Sequence, residues 1–71
     1  MSSDLNAQIL RRDAIVRILR QTAVARQAEL VNLLRRDGHE ATQSSVSRDL
    51  RELGVVKGAD NSHPEWLTLV E

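Results

Sequence analysis

The stretch Thr42-Gln43-Ser44-Ser45-Val46-Ser47-Arg48-Asp49-Leu50-Arg51-Glu52-Leu53-Gly54-Val55-Val56-Lys57 decides how the rest of the chain is read. Thr42 is a good helix N-cap, because its hydroxyl can accept from a free first-turn N–H. At about 100° per residue, Val46, Leu50 and Leu53 make one narrow apolar stripe. Gly54 is a natural stop, since glycine takes the left-handed conformation that ends helices. The pattern predicts a helix over 43–53. The period then changes, and Val55-Val56 is β-branched and suited to a strand.

Upstream, residues 27–37 read as a second helix with Leu30, Val31, Leu33 and Leu34 on its buried side. Asp37-Gly38 stops it, and His39-Glu40-Ala41 is the turn that follows. Residues 22–25 read as a short connection. Residues 4–21 read as a first helix, with Ile15, Ile18 and Leu19 at i, i+3, i+4. Leu5 and Ile9 lie on a face turned by roughly 100° from that stripe. Either this helix breaks near Arg11-Arg12, or residues 1–10 form a separate N-terminal arm, or they extend the helix. Downstream, Trp66-Leu67-Thr68-Leu69-Val70 is strand-like, with Leu67 and Leu69 inward. Between the strands, Gly58 to Pro64 is dense in turn formers, which makes a hairpin with a longer loop. No repeat or low-complexity tract interrupts the pattern. The expectation is one mainly α domain with a small β-hairpin over residues 1–71: a winged helix-turn-helix.

Composition narrows the function. The chain has 71 residues and no cysteine. A domain of this size buries only about 60% of its unfolded surface, so the core is thin. Disulfides and thiolate metal sites are excluded. No apolar run approaches the roughly 20 residues of a membrane span, and the N-terminus lacks the pattern of a secretory signal. A cytoplasmic protein is expected. The formal net charge is zero, but the charge is segregated. Residues 11–36 hold seven arginines against Asp13 and Glu29, and residues 37–71 are acidic on balance. Nine of the ten basic residues are arginine. Its rigid fork suits phosphate and base edges, which points to a polyanionic partner.

Opposite the apolar stripe of the third helix lie Ser44, Ser47, Arg48 and Arg51, with Gln43 in the first turn. A solvated helix face more often carries Glu, Lys and Gln, and serines cost helix propensity. A helix entering a major groove needs these side chains. Small residues permit close approach, Arg reads guanine O6 and N7, Gln can read adenine, and Ser bonds base edges or phosphate.

The same sixteen residues resemble the recognition-helix signature of bacterial arginine repressors, T-Q-x-x-V-S-R-D-x-x-E-L-x-x-V-K. Upstream, Glu29-Leu30-Val31 through Leu34 and then Asp37-Gly38 are similar to that family's second helix and its stop. The resemblance covers residues 12–57 well and the hairpin loosely. It implies a winged helix-turn-helix on double-stranded operator DNA. It implies repression of arginine biosynthesis genes, often with activation of catabolic ones, with L-arginine as corepressor of the full-length protein. Carried over by position, Ser44, Ser47, Arg48 and Arg51 would face the major groove. Gln43 would reach a base edge or the backbone, and Lys57 would contact phosphate.

Departures from the family pattern carry consequences. Relatives place Thr or Ser before Gln27, where this chain has Arg26. The missing cap hydroxyl is worth about 1 kcal/mol, though Arg26 could supply a phosphate contact. Leu67 stands where relatives often carry Tyr, and the hairpin loop holds Asp60 but no Lys or Arg. The family's second domain, which the resemblance implies forms the hexamer and binds arginine, is expected to lie outside residues 1–71. The expectation is a fragment of a longer repressor that is monomeric alone and needs no cofactor of its own.

The remaining polar residues have bland readings beside sharper ones. His39 and His63 read as surface residues rather than a zinc pair. Trp66 reads as a cap on the core edge rather than a base-stacking platform. Arg35-Arg36 either favours a helix dipole or meets phosphate, and Arg11-Arg12 is similarly balanced. Asp49 and Glu52 read as partners for Arg48, Arg51 or the second helix. No enzyme is expected: the serines lack a local base and a G-x-S-x-G elbow, and the glycines are scattered. The alternative is a winged helix that docks a protein without binding DNA. Such docking favours exposed aliphatic or aromatic side chains, for which only Trp66 is a candidate.

Overall fold

The computed structural model describes residues 3–57 and 67–69. Three helices, α1 (Ser3–Gln21), α2 (Gln27–Arg36) and α3 (Gln43–Leu53), precede two strands, β1 (Val55–Lys57) and β2 (Leu67–Leu69). The strands pair antiparallel, with Val55 opposite Leu69 and Lys57 opposite Leu67. This is the mainly α architecture with a hairpin that the sequence predicts. No described helix is long and apolar enough to cross a membrane.

The helix boundaries follow from local chemistry. Thr42 is extended, and its Oγ1 accepts from Ser45 N–H at 3.1 Å. Ser45 Oγ in turn accepts from Thr42 N–H at 3.0 Å, so two otherwise unpaired donors are satisfied reciprocally. Gly54 ends α3 at φ 81°, a conformation costly for any residue with a Cβ. Gly38, at φ 90°, ends α2 in the same way. Gly38 N–H bonds Arg35 O at 3.0 Å and His39 N–H bonds Leu34 O at 3.0 Å, the paired bonds of a Schellman stop. Asp37 therefore caps α2 rather than belonging to it. At the start of α2, Arg26 makes no side-chain cap. Glu29 Oε1 instead accepts from Ala25 N–H at 3.1 Å.

Ala14, Ile15, Val24, Leu30, Val31, Leu34, Ala41, Val46 and Leu50 form the buried core. Ile18, Leu19, Leu33, Leu53, Val55 and Leu67 pack against it. Leu67 thus points inward as expected. The strand-like run Trp66–Val70 appears as Leu67–Leu69; Trp66, Val70 and the side chain of Leu69 lie outside the described residues, as do Asp60 and His63. One feature departs from the sequence expectations. The 22–25 connection is part of the core, because Val24 is fully buried and its carbonyl accepts from Leu67 N–H at 2.8 Å. Of the readings left open for residues 1–10, the helix extension is the one seen: α1 is continuous through Arg11-Arg12.

Candidate nucleic-acid interface

The reason α1 does not break lies behind α3. Asp49 is fully buried, as is Val46, and Leu50 is nearly so on the same side of the helix. Its carboxylate accepts from both arginines of α1. Arg11 Nε and Nη2 bond its two oxygens, the Nη2 contact at 3.1 Å, and Arg12 Nε bonds Oδ1 at 2.8 Å. Arg11 Nη1 also donates to Glu40 O at 3.2 Å, in the turn between α2 and α3. One guanidinium therefore ties α1 to the middle of α3 and to the turn that leads into it. A buried charge is tolerable only when paired and hydrogen-bonded in this way.

These contacts correct three readings. Asp49 partners α1, not Arg48, Arg51 or α2, because it sits within the apolar stripe rather than beside the outward one. Arg11 and Arg12 serve Asp49 rather than a helix dipole or a phosphate. Glu52 is exposed and has no polar partner among the described residues. Arg35 takes a third course, with Nε donating to Ala41 O at 2.8 Å and closing the turn after α2.

In front of α3 the picture is the opposite. Gln43, Ser44, Arg48 and Arg51 are exposed, and Ser47 is half-buried. Among the described residues neither Arg48 nor Arg51 has a hydrogen-bond or ion-pair partner. Lys57 is exposed on β1, two residues into the strand that leaves α3. The structure therefore brings Gln43, Ser44, Ser47, Arg48 and Arg51 onto one exposed side of one helix, with Lys57 on the strand that follows. Ser45, the third serine of the run, belongs to the N-terminal cap instead. Gln27, which the sequence did not single out, joins this surface from α2 by donating to Gln43 O at 2.8 Å and to Gln43 Oε1 at 3.0 Å. No local pattern could have shown that pairing, since it depends on how α2 crosses α3.

A small, hydrogen-bonding helix face of this kind suits a groove: serines allow close approach and free guanidinium forks fit guanine edges or phosphate. The model of the arginine repressor DNA-binding domain matches residues 7–70. A protein named arginine repressor from Desulforudis audaxviator (strain MP104C) is 40% identical over 57 residues, which is 80% of this chain and 38% of that protein. One from Anaeromyxobacter sp. (strain Fw109-5) is 43% identical over 61 residues, 86% of this chain and 37% of that protein. One from Anaeromyxobacter sp. (strain K) is 50% identical over 45 residues, 63% of this chain and 28% of that protein. The match spans between 28% and 38% of the length of these relatives.

Proposed function

This chain belongs to the arginine repressor family, matching its DNA-binding domain, and we propose that it reads double-stranded operator DNA by laying α3 in the major groove. Ser44, Ser47, Arg48 and Arg51 meet base edges, Gln43 meets the groove at the helix start, and Lys57 binds phosphate. The observation that carries this reading is the contrast across α3. Its back is closed by core and by a saturated charge cluster, while its front offers two guanidinium groups without partners among the described residues.

In a protein of the relatives' length, the domain would serve a cytoplasmic repressor of arginine biosynthesis genes that also activates catabolic ones. L-Arginine would act as corepressor and a hexamer as the working assembly, both through residues outside this chain. No catalytic chemistry is part of the proposal. A single module makes few phosphate contacts and lacks avidity, so affinity is roughly micromolar and falls with salt.

The alternative of a protein-docking module has one observation in its favour. Leu5, Ile9 and Leu10 on the first turns of α1 are each more than half exposed. An amide-shift titration of the labelled chain with operator duplex separates the two. Perturbations concentrated on residues 43–51 and Lys57 are expected. An unperturbed α3, with binding of duplex absent, would shift the function to the α1 surface.

A further inference from the structure

The helices α2 and α3 start on similar backbones with different side chains. Arg26 precedes α2 at φ −129°, ψ 145°, and Thr42 precedes α3 at φ −128°, ψ 165°. Thr42 uses that geometry to cap its helix, with Oγ1 accepting from Ser45 N–H at 3.1 Å. Arg26 makes no side-chain cap, because a guanidinium only donates and cannot accept from an N–H. A hydroxyl or carboxylate is the favoured group at such a position, so an arginine there forgoes stability. Its charge has no internal use either. Glu29, three residues on, accepts from Ala25 N–H at 3.1 Å rather than from Arg26. Arg26 is exposed and has no hydrogen-bond or ion-pair partner among the described residues.

Its position supplies an external use. Gln27, the next residue, donates to Gln43 O at 2.8 Å, which sets the start of α2 against the start of α3. Consecutive Cα atoms are about 3.8 Å apart, so Arg26 flanks the first residue of the reading helix. A major groove is about 12 Å wide, and its phosphate borders run roughly 6 Å to either side of a helix laid along it. The first helix of a helix-turn-helix crosses such a border. We propose that Arg26 is a phosphate ligand at the border of the groove that α3 enters, held at a helix start in place of a cap. This rests on the reading of α3 as the groove-entering helix. The contact carries no sequence information; it adds affinity and fixes register. Arg36, also exposed and without a partner among the described residues, ends the same helix roughly 15 Å away. It lines a shallow cleft with Ile18 and Gln21 of α1 instead.

The test is fluorescence-anisotropy titration of the wild-type chain, Arg26→Thr, Arg26→Met and Arg36→Met against an operator half-site and a scrambled duplex over a range of salt, with thermal unfolding of each chain. Arg26→Thr is expected to move the two readouts in opposite directions. Its melting midpoint should rise by about 4–8 °C, as the hydroxyl restores a cap. Its affinity should fall by roughly three- to tenfold at about 50 mM salt, alike for both duplexes, and the slope of log affinity against log salt should shrink by about 0.9. The gap to the wild type should therefore narrow by about three- to fourfold on going to about 200 mM salt. Arg26→Met should lose the same slope without the gain in stability, and Arg36→Met should keep the wild-type slope. A merely structural role for Arg26 would move the midpoint and leave the slope alone. An unchanged slope in both Arg26 variants, an equal loss of slope in Arg36→Met, a loss confined to the operator, or a midpoint that fails to rise in Arg26→Thr would each overturn the proposal while leaving DNA reading by α3 intact. Failure of the wild type to bind either duplex at low salt would overturn both.

Discussion

Arg11 and Arg12 lie behind α3, and Arg48 and Arg51 lie in front of it. The first pair spends its hydrogen bonds on a buried carboxylate and a turn carbonyl. The second pair has no polar partner among the described residues. The residue type is the same on both sides, so the difference lies in where α3 places its acids. Asp49 falls in the apolar stripe, where a charge must be paired. Glu52 falls on the exposed side and binds neither arginine. The comparison teaches that the arginine-rich composition serves two separate ends: holding the reading helix in place, and equipping its outer face.

The largest way to break that division is to remove its buried acid. Asp49→Ala leaves Arg11 buried without a carboxylate and is expected to destabilise the chain by about 3–5 kcal/mol in urea unfolding. A domain of this length holds only roughly 4–11 kcal/mol in all. Arg11→Met combined with Asp49→Leu should restore most of the loss, because the cost is that of an unpaired buried charge. Arg12, a quarter exposed, can then turn to solvent. Additive losses in the double variant would mean that the cluster is held by something other than charge pairing.

In front of the helix the loss should move from stability to binding. Arg48→Ala is expected to cost about 1–3 kcal/mol in operator binding and to relax preference at one base pair. Its unfolding free energy should change by no more than about 0.5 kcal/mol, as at an ordinary surface position. A large drop in stability would show that Arg48 belongs to the scaffold. Thr42→Ala removes the reciprocal cap of α3 and is expected to cost about 1 kcal/mol in unfolding. The smallest effect belongs to Lys57→Ala. It should weaken binding to all duplexes alike and lower the slope of log affinity against log salt by about one unit.

The sequence exposed the front of this molecule far better than its back. Thr42, Gly54 and the Val46–Leu50–Leu53 stripe bound α3 by local rules alone. The outward residues follow from the same wheel. The continuity of α1 was not legible, because Arg11 occupies the core-facing position four residues before Ile15, where an apolar side chain would have completed the stripe. Its partner is 38 residues away, and local periodicity carries no information about that distance. A usable signal did exist in the form of an acid within the apolar stripe of α3 and a base in the core register of α1. Val24 and Ala41 were missed for a related reason, since buried loop residues obey no period. The Gln27–Gln43 contact required the crossing of α2 and α3 to be known first.

The central claim is that the front of α3 reads base pairs. It is tested most directly by fluorescence-anisotropy titration of this chain against an A·T-rich palindromic arginine operator half-site and a scrambled duplex of equal composition, at two salt concentrations. The account predicts tighter binding to the operator, with affinity for both duplexes falling as salt rises. Equal affinity for the two duplexes, or no binding to either at low salt, would contradict it.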